Sequence, residues 1–405
     1  MKMPTPAGQV GDIISRLAEA VVSVRPLIDV LAAPVHVSVA GGTGPLPAQW
    51  PNYGAAGALL ECITARLGAP RLCLRRDVLY EDLGTFEQVV SDRLRIADAI
   101  EHLAPGWAES VGDVEPVVDQ ALADGLEGLC ERAVVRRPDG TVLQAYATGN
   151  PRRPAVVIAS ACGMPARLCE DWLRFLGTGH YVITWETRGL FGAARHGFRG
   201  GVAVTEQALD LIAVMDHFGV AAAHVAGFCG GAVIALAAAA LAPRRIRSLS
   251  LWHGDFEVGA DAPKTSHQEN LQALMAMAAL SPADAANVRE VLCNVMVRST
   301  PTDLAHLVLY PYADSLLLMR YCLLNGAIMN TDMRSYLPAV KTRVLVVTSR
   351  DDDTAHPDGS RYVSSMLAPS TLTVTEHGNH LSLFRAGREL LEMAEQFIKE
   401  GTCEP

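Results

Sequence analysis

Nine cysteines are spread along this 405-residue chain, and one of them stands where a nucleophile would. The residues Gly227-Phe228-Cys229-Gly230-Gly231 read G-x-C-x-G. The apolar run Ala223-His224-Val225-Ala226 before them suits the end of a buried strand. Ala232 to Ala242, closed by Pro243, suits a helix that starts at once. A strand-to-helix turn this tight strains its middle residue, and glycines two positions away keep Cβ atoms from colliding. The Cys229 side chain is thereby pushed out of the sheet toward a substrate. The bland reading of a cysteine is a small buried core residue, and small residues also let a helix pack close to a strand. Strand, glycines and helix together favour the nucleophile.

A thiol nucleophile needs a base and a group that orients the base. The base expected here is His380, in Glu376-His377-Gly378-Asn379-His380-Leu381, with His377 as its rival. His380 follows Gly378-Asn379 at a helix entry, on a loop that can swing a ring over strand ends. The acid is expected in Ser349-Arg350-Asp351-Asp352-Asp353, after the strand Arg343 to Thr348. Loop register favours Asp352, with Asp351 second; either could instead cap the turn. Asp255, in Trp252-His253-Gly254-Asp255, is a rival acid after the preceding strand. Two backbone N–H groups should hold an oxyanion. One is Gly230; the other is Met164 in Ala161-Cys162-Gly163-Met164-Pro165, where Pro165 has no N–H to give. Trp185 to Gly192 reads as a turn that buttresses this loop, and Cys162 as a wall or core residue.

These residues need a scaffold. Residues 1 to 130 read as a helical region: Val10 to Ala32 with Pro26 near its end, a Gly/Pro-rich loop over Gly41 to Pro51, then Tyr53 to Leu67, Phe86 to Leu103 and Val114 to Cys130. The texture then changes. Ala133 to Arg137 and Thr141 to Tyr146 flank Pro138-Asp139-Gly140 as a hairpin. Buried strands follow at Ala155 to Ser160, Tyr181 to Trp185, before Cys229, Ser248 to Trp252, Arg343 to Thr348 and Leu372 to Thr375. Helical patterns separate them, which implies an α/β class with a mostly parallel sheet and helices on both faces. Residues 131–256 and 339–405 form that core. The interval 257–338 breaks the alternation and reads as a helical lid over the strand ends, where ligands bind. Its methionines (Met275, Met277, Met296, Met319, Met329, Met333) suit either an adaptable pocket or plain packing.

Half the residues are hydrophobic and the net charge is −10, which argues against nucleic acid or an anionic membrane as main partner. The cluster Arg244, Arg245 and Arg247 could offer a local basic patch; a solvated helix end is the plainer reading. No apolar run is long enough to span a bilayer, and the first residues lack a signal-peptide core. An odd number of cysteines without paired short spacing suggests free thiols in a reducing cytoplasm. No metal or cofactor is expected.

Taken together, the nucleophile turn, the oxyanion loop, Arg188-Gly189 and the order Cys229…Asp352…His380 resemble the α/β-hydrolase superfamily over about residues 131–400. Within it, cysteine nucleophiles resemble two groups. Dienelactone hydrolase has a much shorter chain. The carrier-protein aminoacyltransferases of nonribosomal peptide pathways, of the syringomycin type, are similar in length and in the depth of the cysteine. That resemblance implies transfer of an acyl or aminoacyl group between the phosphopantetheine thiols of carrier proteins, through an acyl-Cys229 intermediate. A thioesterase or dienelactone-type hydrolase with the same three residues is the alternative.

Overall fold

The computed structural model describes residues 6–39, 52–69, 71–103, 106 and 107, and 114–402. The loop expected over Gly41 to Pro51 lies outside the described residues. Two compact units divide the chain: Met1–Leu129 with Cys293–Asp314, and Cys130–Leu292 with Ser315–Pro405.

The first unit is mainly helical. Its helices include Pro6–Ile28, Tyr53–Arg66, Thr85–Leu94, Ile96–His102, Glu115–Asp124 and Thr302–Val308. Pro26 is accommodated in the last turn of the first of them. The helix expected over Phe86 to Leu103 is two helices, because Arg95 turns into the left-handed region at φ 48°. Two short parallel strands, β1 (Val35–Val37) and β2 (Leu72–Leu74), were not foreseen from the sequence. Ile14, Val21, Leu27, Leu59, Leu60, Ile63 and Ala313 share one core here.

The second unit is built on an eight-stranded sheet. Its strands are β3 (Glu131–Arg136), β4 (Val142–Thr148), β5 (Ala155–Ala159), β6 (Tyr181–Trp185), β7 (Ala223–Phe228), β8 (Ile246–Trp252), β9 (Arg343–Ser349) and β10 (Ser370–Thr375). Their spatial order is β10-β9-β8-β7-β5-β6-β4-β3. Among the described strands of this sheet only β4 runs against the others, antiparallel to both β3 and β6; β3 and β4 form the expected hairpin, closed by Asp139 and by Gly140 at φ 85°. The middle strands are apolar on both faces because helices cover both. Every residue of β6 and β7 is buried.

After β5 the chain crosses to β6 on one side and returns to β7 on the other. The C-terminal ends of β5 and β7 therefore border a topological switch point, the usual place for a ligand in an open α/β sheet. Ala159 pairs with Gly227, and Phe228 with Trp252. Cys229 is the next residue along.

The insertion expected as one lid does not lie within one unit. Its helices Ser266–Ala278 and Ser315–Met329 belong with the sheet, whereas residues 293–314 group with the N-terminal helices. Its methionines differ in burial within one unit: Met275, Met329 and Met333 are buried, and Met277 is 53% exposed. Among the described residues, no helix is long and apolar enough to cross a membrane.

Candidate active site

Cys229 takes φ 53° and ψ −122°, a backbone conformation that costs a non-glycine residue about 1–3 kcal/mol. The flanking glycines make it possible. A Cβ on Gly231 would sit 1.9 Å from the Ala159 carbonyl oxygen, and one on Gly227 would sit 2.5 Å from Cα of Ala232. Strand and helix can approach this closely only without those atoms. The Cys229 N–H donates to the Trp252 carbonyl at 3.0 Å, which locks the turn to β8. Trp172 packs on Phe228 and Trp252 beneath it, with ring centroids 4.8 and 5.3 Å away. Cys229 is a partly exposed residue, unlike Cys162 and Cys169, which are buried.

His380 opens the short helix His380–Phe384. Asn379 caps that helix, accepting from the N–H groups of Leu381 at 3.0 Å and Ser382 at 3.1 Å. Trp172 Nε1 donates to the Leu383 carbonyl at 2.9 Å and ties the helix to the floor of the Cys229 turn. The ring is buried. Its Nδ1 lies 3.3 Å from Oδ1 of Asp352. Its Nε2 makes no hydrogen bond among the described residues, and Cys229 is near enough for its charge to act on the ring. Burial alone would lower the proton affinity of this imidazole. The negative charges available on Cys229 and Asp352 outweigh burial and raise it well above the ordinary histidine range.

Asp352 is the acid. Burial works against its charge, but His380 and the hydrogen bonds from His253 and His380 hold its carboxyl well below the usual carboxylate range. Backbone N–H groups of Thr354 and Ala355 also donate to Oδ1, at 3.0 and 3.2 Å. The rival acids are engaged elsewhere. Asp351 accepts from the exposed His377 ring at 2.9 Å, so the second-choice acid and the rival base pair with each other in solvent. Asp255 accepts from Gln268 Nε2 at 2.6 Å and makes no hydrogen bond to His380. Burial raises its pKa.

One residue escaped sequence reasoning. His253 Nδ1 lies 2.8 Å from Oδ2 of Asp352, and both side chains are buried. Its ring centroid is 5.8 Å from that of His380. The signal was its place at the end of β8, two residues before the rival acid. Donor atoms of His253, Asp352 and His380 fall within 4.8 Å of one another. Each Nδ1 already faces a carboxylate oxygen, so the arrangement is a hydrogen-bonded chain.

The two expected oxyanion donors differ. Gly230 N–H is the first of the Gly230–Leu241 helix and has no intrahelical acceptor. Met164 N–H, in contrast, closes a turn onto the Ala161 carbonyl at 3.2 Å, so an oxyanion would have to draw it away from that bond. The loop that carries it is braced as expected. Thr187 Oγ1 accepts from Gly163 N–H at 2.8 Å. The buried Glu186 carboxyl accepts from Tyr146 OH at 3.1 Å and from backbone N–H groups of Gly192 and Ala166. Arg188, 1% exposed, clamps Asp210 through two bonds of 2.6 and 2.7 Å behind it.

This fold is that of the α/β-hydrolases. No protein-family model matches the chain. Two curated relatives are putative carbamate hydrolases, RutD. The protein from Azorhizobium caulinodans is 31% identical over 111 residues, which span 27% of this chain and only 40% of that relative. The one from Pseudomonas syringae pv. syringae is 25% identical over 242 residues, 56% of this chain and 87% of its own. Among solved structures, the enol-lactonase from Burkholderia xenovorans LB400 superposes with a TM-score of 0.52 and 19% identity, over 66% of this chain and 100% of that one. All three are named as hydrolytic proteins, and none as an acyltransferase.

Proposed function

We propose that this protein is a hydrolase that cleaves an activated acyl bond, an ester, thioester or lactone, through an acyl-Cys229 intermediate. The observation that carries this reading is the strained Cys229 turn beside the His380–Asp352 pair. Cys229 sulfur, as thiolate, adds to the carbonyl carbon. Gly230 N–H, with Met164 N–H if the loop yields it, steadies the oxyanion. The intermediate collapses, the acyl–oxygen or acyl–sulfur bond breaks, and His380 Nε2–H gives its proton to the leaving group. A water molecule then loses a proton to His380 Nε2 and attacks the thioester carbonyl; the Cys229 thiolate leaves and the free acid departs. Asp352 keeps the imidazole in the tautomer with hydrogen on Nδ1 and supports its charge. An enol-lactone, the substrate named for the structural neighbour, presents such an activated carbonyl; the carbamate named for the curated relatives presents a less electrophilic one.

Intact mass after mixing with 4-nitrophenyl acetate tests this reading. One acetyl group on the wild type, none on Cys229→Ala, and steady acetate release without added thiol are expected. An adduct that persists in Cys229→Ala would overturn it. A second reading is supported by the cysteine itself: a thioester exchanges readily with another thiol, so the acyl group could pass between carrier-protein thiols. An acetyl-Cys229 that resists water and discharges only to an added pantetheine thiol would favour transfer.

A further inference from the structure

We propose that His253 is a positioning residue: it holds one oxygen of the Asp352 carboxylate and so sets how firmly the other oxygen grips His380. The inference rests on the reading of Cys229, His380 and Asp352 as the reacting set.

The bond from His253, at 2.8 Å, is shorter than the 3.3 Å bond from His380 to the same carboxylate. Oδ1 is shared by His380 and two backbone N–H groups, whereas His253 alone among the described residues reaches Oδ2. His253 is fixed to do this. Its N–H donates to the Val347 carbonyl at 2.8 Å, extending the β8–β9 ladder beyond the last strand residue. Its backbone stands at φ 48°, a conformation that a non-glycine residue keeps only where the surroundings enforce it. It is 2% exposed. A buried carboxylate oxygen that loses its one donor is left unpaired, and its charge then falls more heavily on the remaining cationic partner. His253 thus moderates the pull of Asp352 on the ring that must both hold and release a proton. The other titratable groups acting on this chain are Cys229, Asp255, His267 and Asp353, with Lys264 acting on Asp255. Lys264 is itself paired with Glu257 at 2.7 Å.

NMR titration of histidine-labelled protein, with His380 assigned from a His380→Gln variant, reads the ring without any substrate. In His253→Phe and His253→Ala the His380 midpoint should rise by about one pH unit, about tenfold in proton affinity. His253→Asn keeps an N–H donor and tolerates positive φ, and should stay at the wild-type midpoint. A role confined to packing would leave the midpoint unmoved in all three. An unmoved midpoint in both removal variants overturns the inference, and so does a rise in the Asn variant equal to theirs. Compared with the wild type, folded Asp352→Asn should shift the Nδ1–H resonances of both rings; a shift of His380 alone would overturn it too. If 4-nitrophenyl acetate leaves no acetyl group on Cys229, the hydrolase reading falls while these titrations still decide the place of His253.

Discussion

Asp352 is hydrogen-bonded to two imidazole rings, and Asp255, among the described residues, to none. That difference predicts how the acids rank. Asp352→Asn leaves His380 without its charge partner and can force the wrong tautomer, so turnover of 4-nitrophenyl acetate should fall by about 10²–10⁴. Asp255→Asn keeps an oxygen for Gln268, and Asp351→Asn keeps an oxygen for the Gly378 N–H while weakening the exposed pair with His377; both should stay within about threefold of wild type. Steady-state kinetics on the three variants checks the order. Glu186 predicts a pH dependence of stability. Its carboxyl is buried, and burial pushes it up to about 7 against hydrogen bonds from Tyr146, Gly192 and Ala166. The folded protein then binds a proton that the unfolded chain has released between about pH 4.5 and 7, so this group lowers stability as pH rises across that window, by up to about 3 kcal/mol. Glu186→Gln should flatten that slope, read as the difference in urea midpoint between pH 5 and pH 8.

The elements around Cys229 were legible because each carried a local signature. Gly227 and Gly231, the apolar strand before them and Pro243 after the helix all point to one turn. The helix entry at Asn379 was visible for the same reason. The N-terminal helices were harder. Arg95 breaks a run whose apolar spacing continues through it, and three-residue strands such as β1 are too short to show alternation. His253 was hidden because its partner is 99 residues away and nothing local marks it. The division of the interval 257–338 between two units follows from packing partners, which spacing does not reveal. At this scale two glycines make a contrast. Gly231→Ala forces an atom against the Ala159 carbonyl and should cost about 3 kcal/mol or more. Gly326→Ala, in the Ser315–Met329 helix, meets nothing within 4 Å and should stabilise the protein by about 0.5–1 kcal/mol. Chemical denaturation separates the two.

Across the whole molecule, charge and chemistry lie at different ends of the sheet. Arg244 and Arg247 are exposed beside the start of β8, whereas Cys229 stands beyond the end of β7, which runs parallel to it. Arg245 is already committed to Asp216 at 2.6 Å and to two carbonyls of the same turn. The cluster is a solvated end of an element, remote from the thiol. Reversing both exposed charges, Arg244→Glu with Arg247→Glu, should leave acetylation of Cys229 within about twofold at physiological salt, because screening removes such fields over about 8 Å. Intact-mass time courses measure this.

The N-terminal unit also draws on a distant piece of chain. Ser23 is hydrogen-bonded to His306, and Ala313 lies in the same core as Val21 and Leu59. A ribosome delivers those partners only after most of the sheet's strands have emerged. The first helices made are therefore among the last to be completed, and a cut anywhere near residue 129 would separate them from the pieces that finish them.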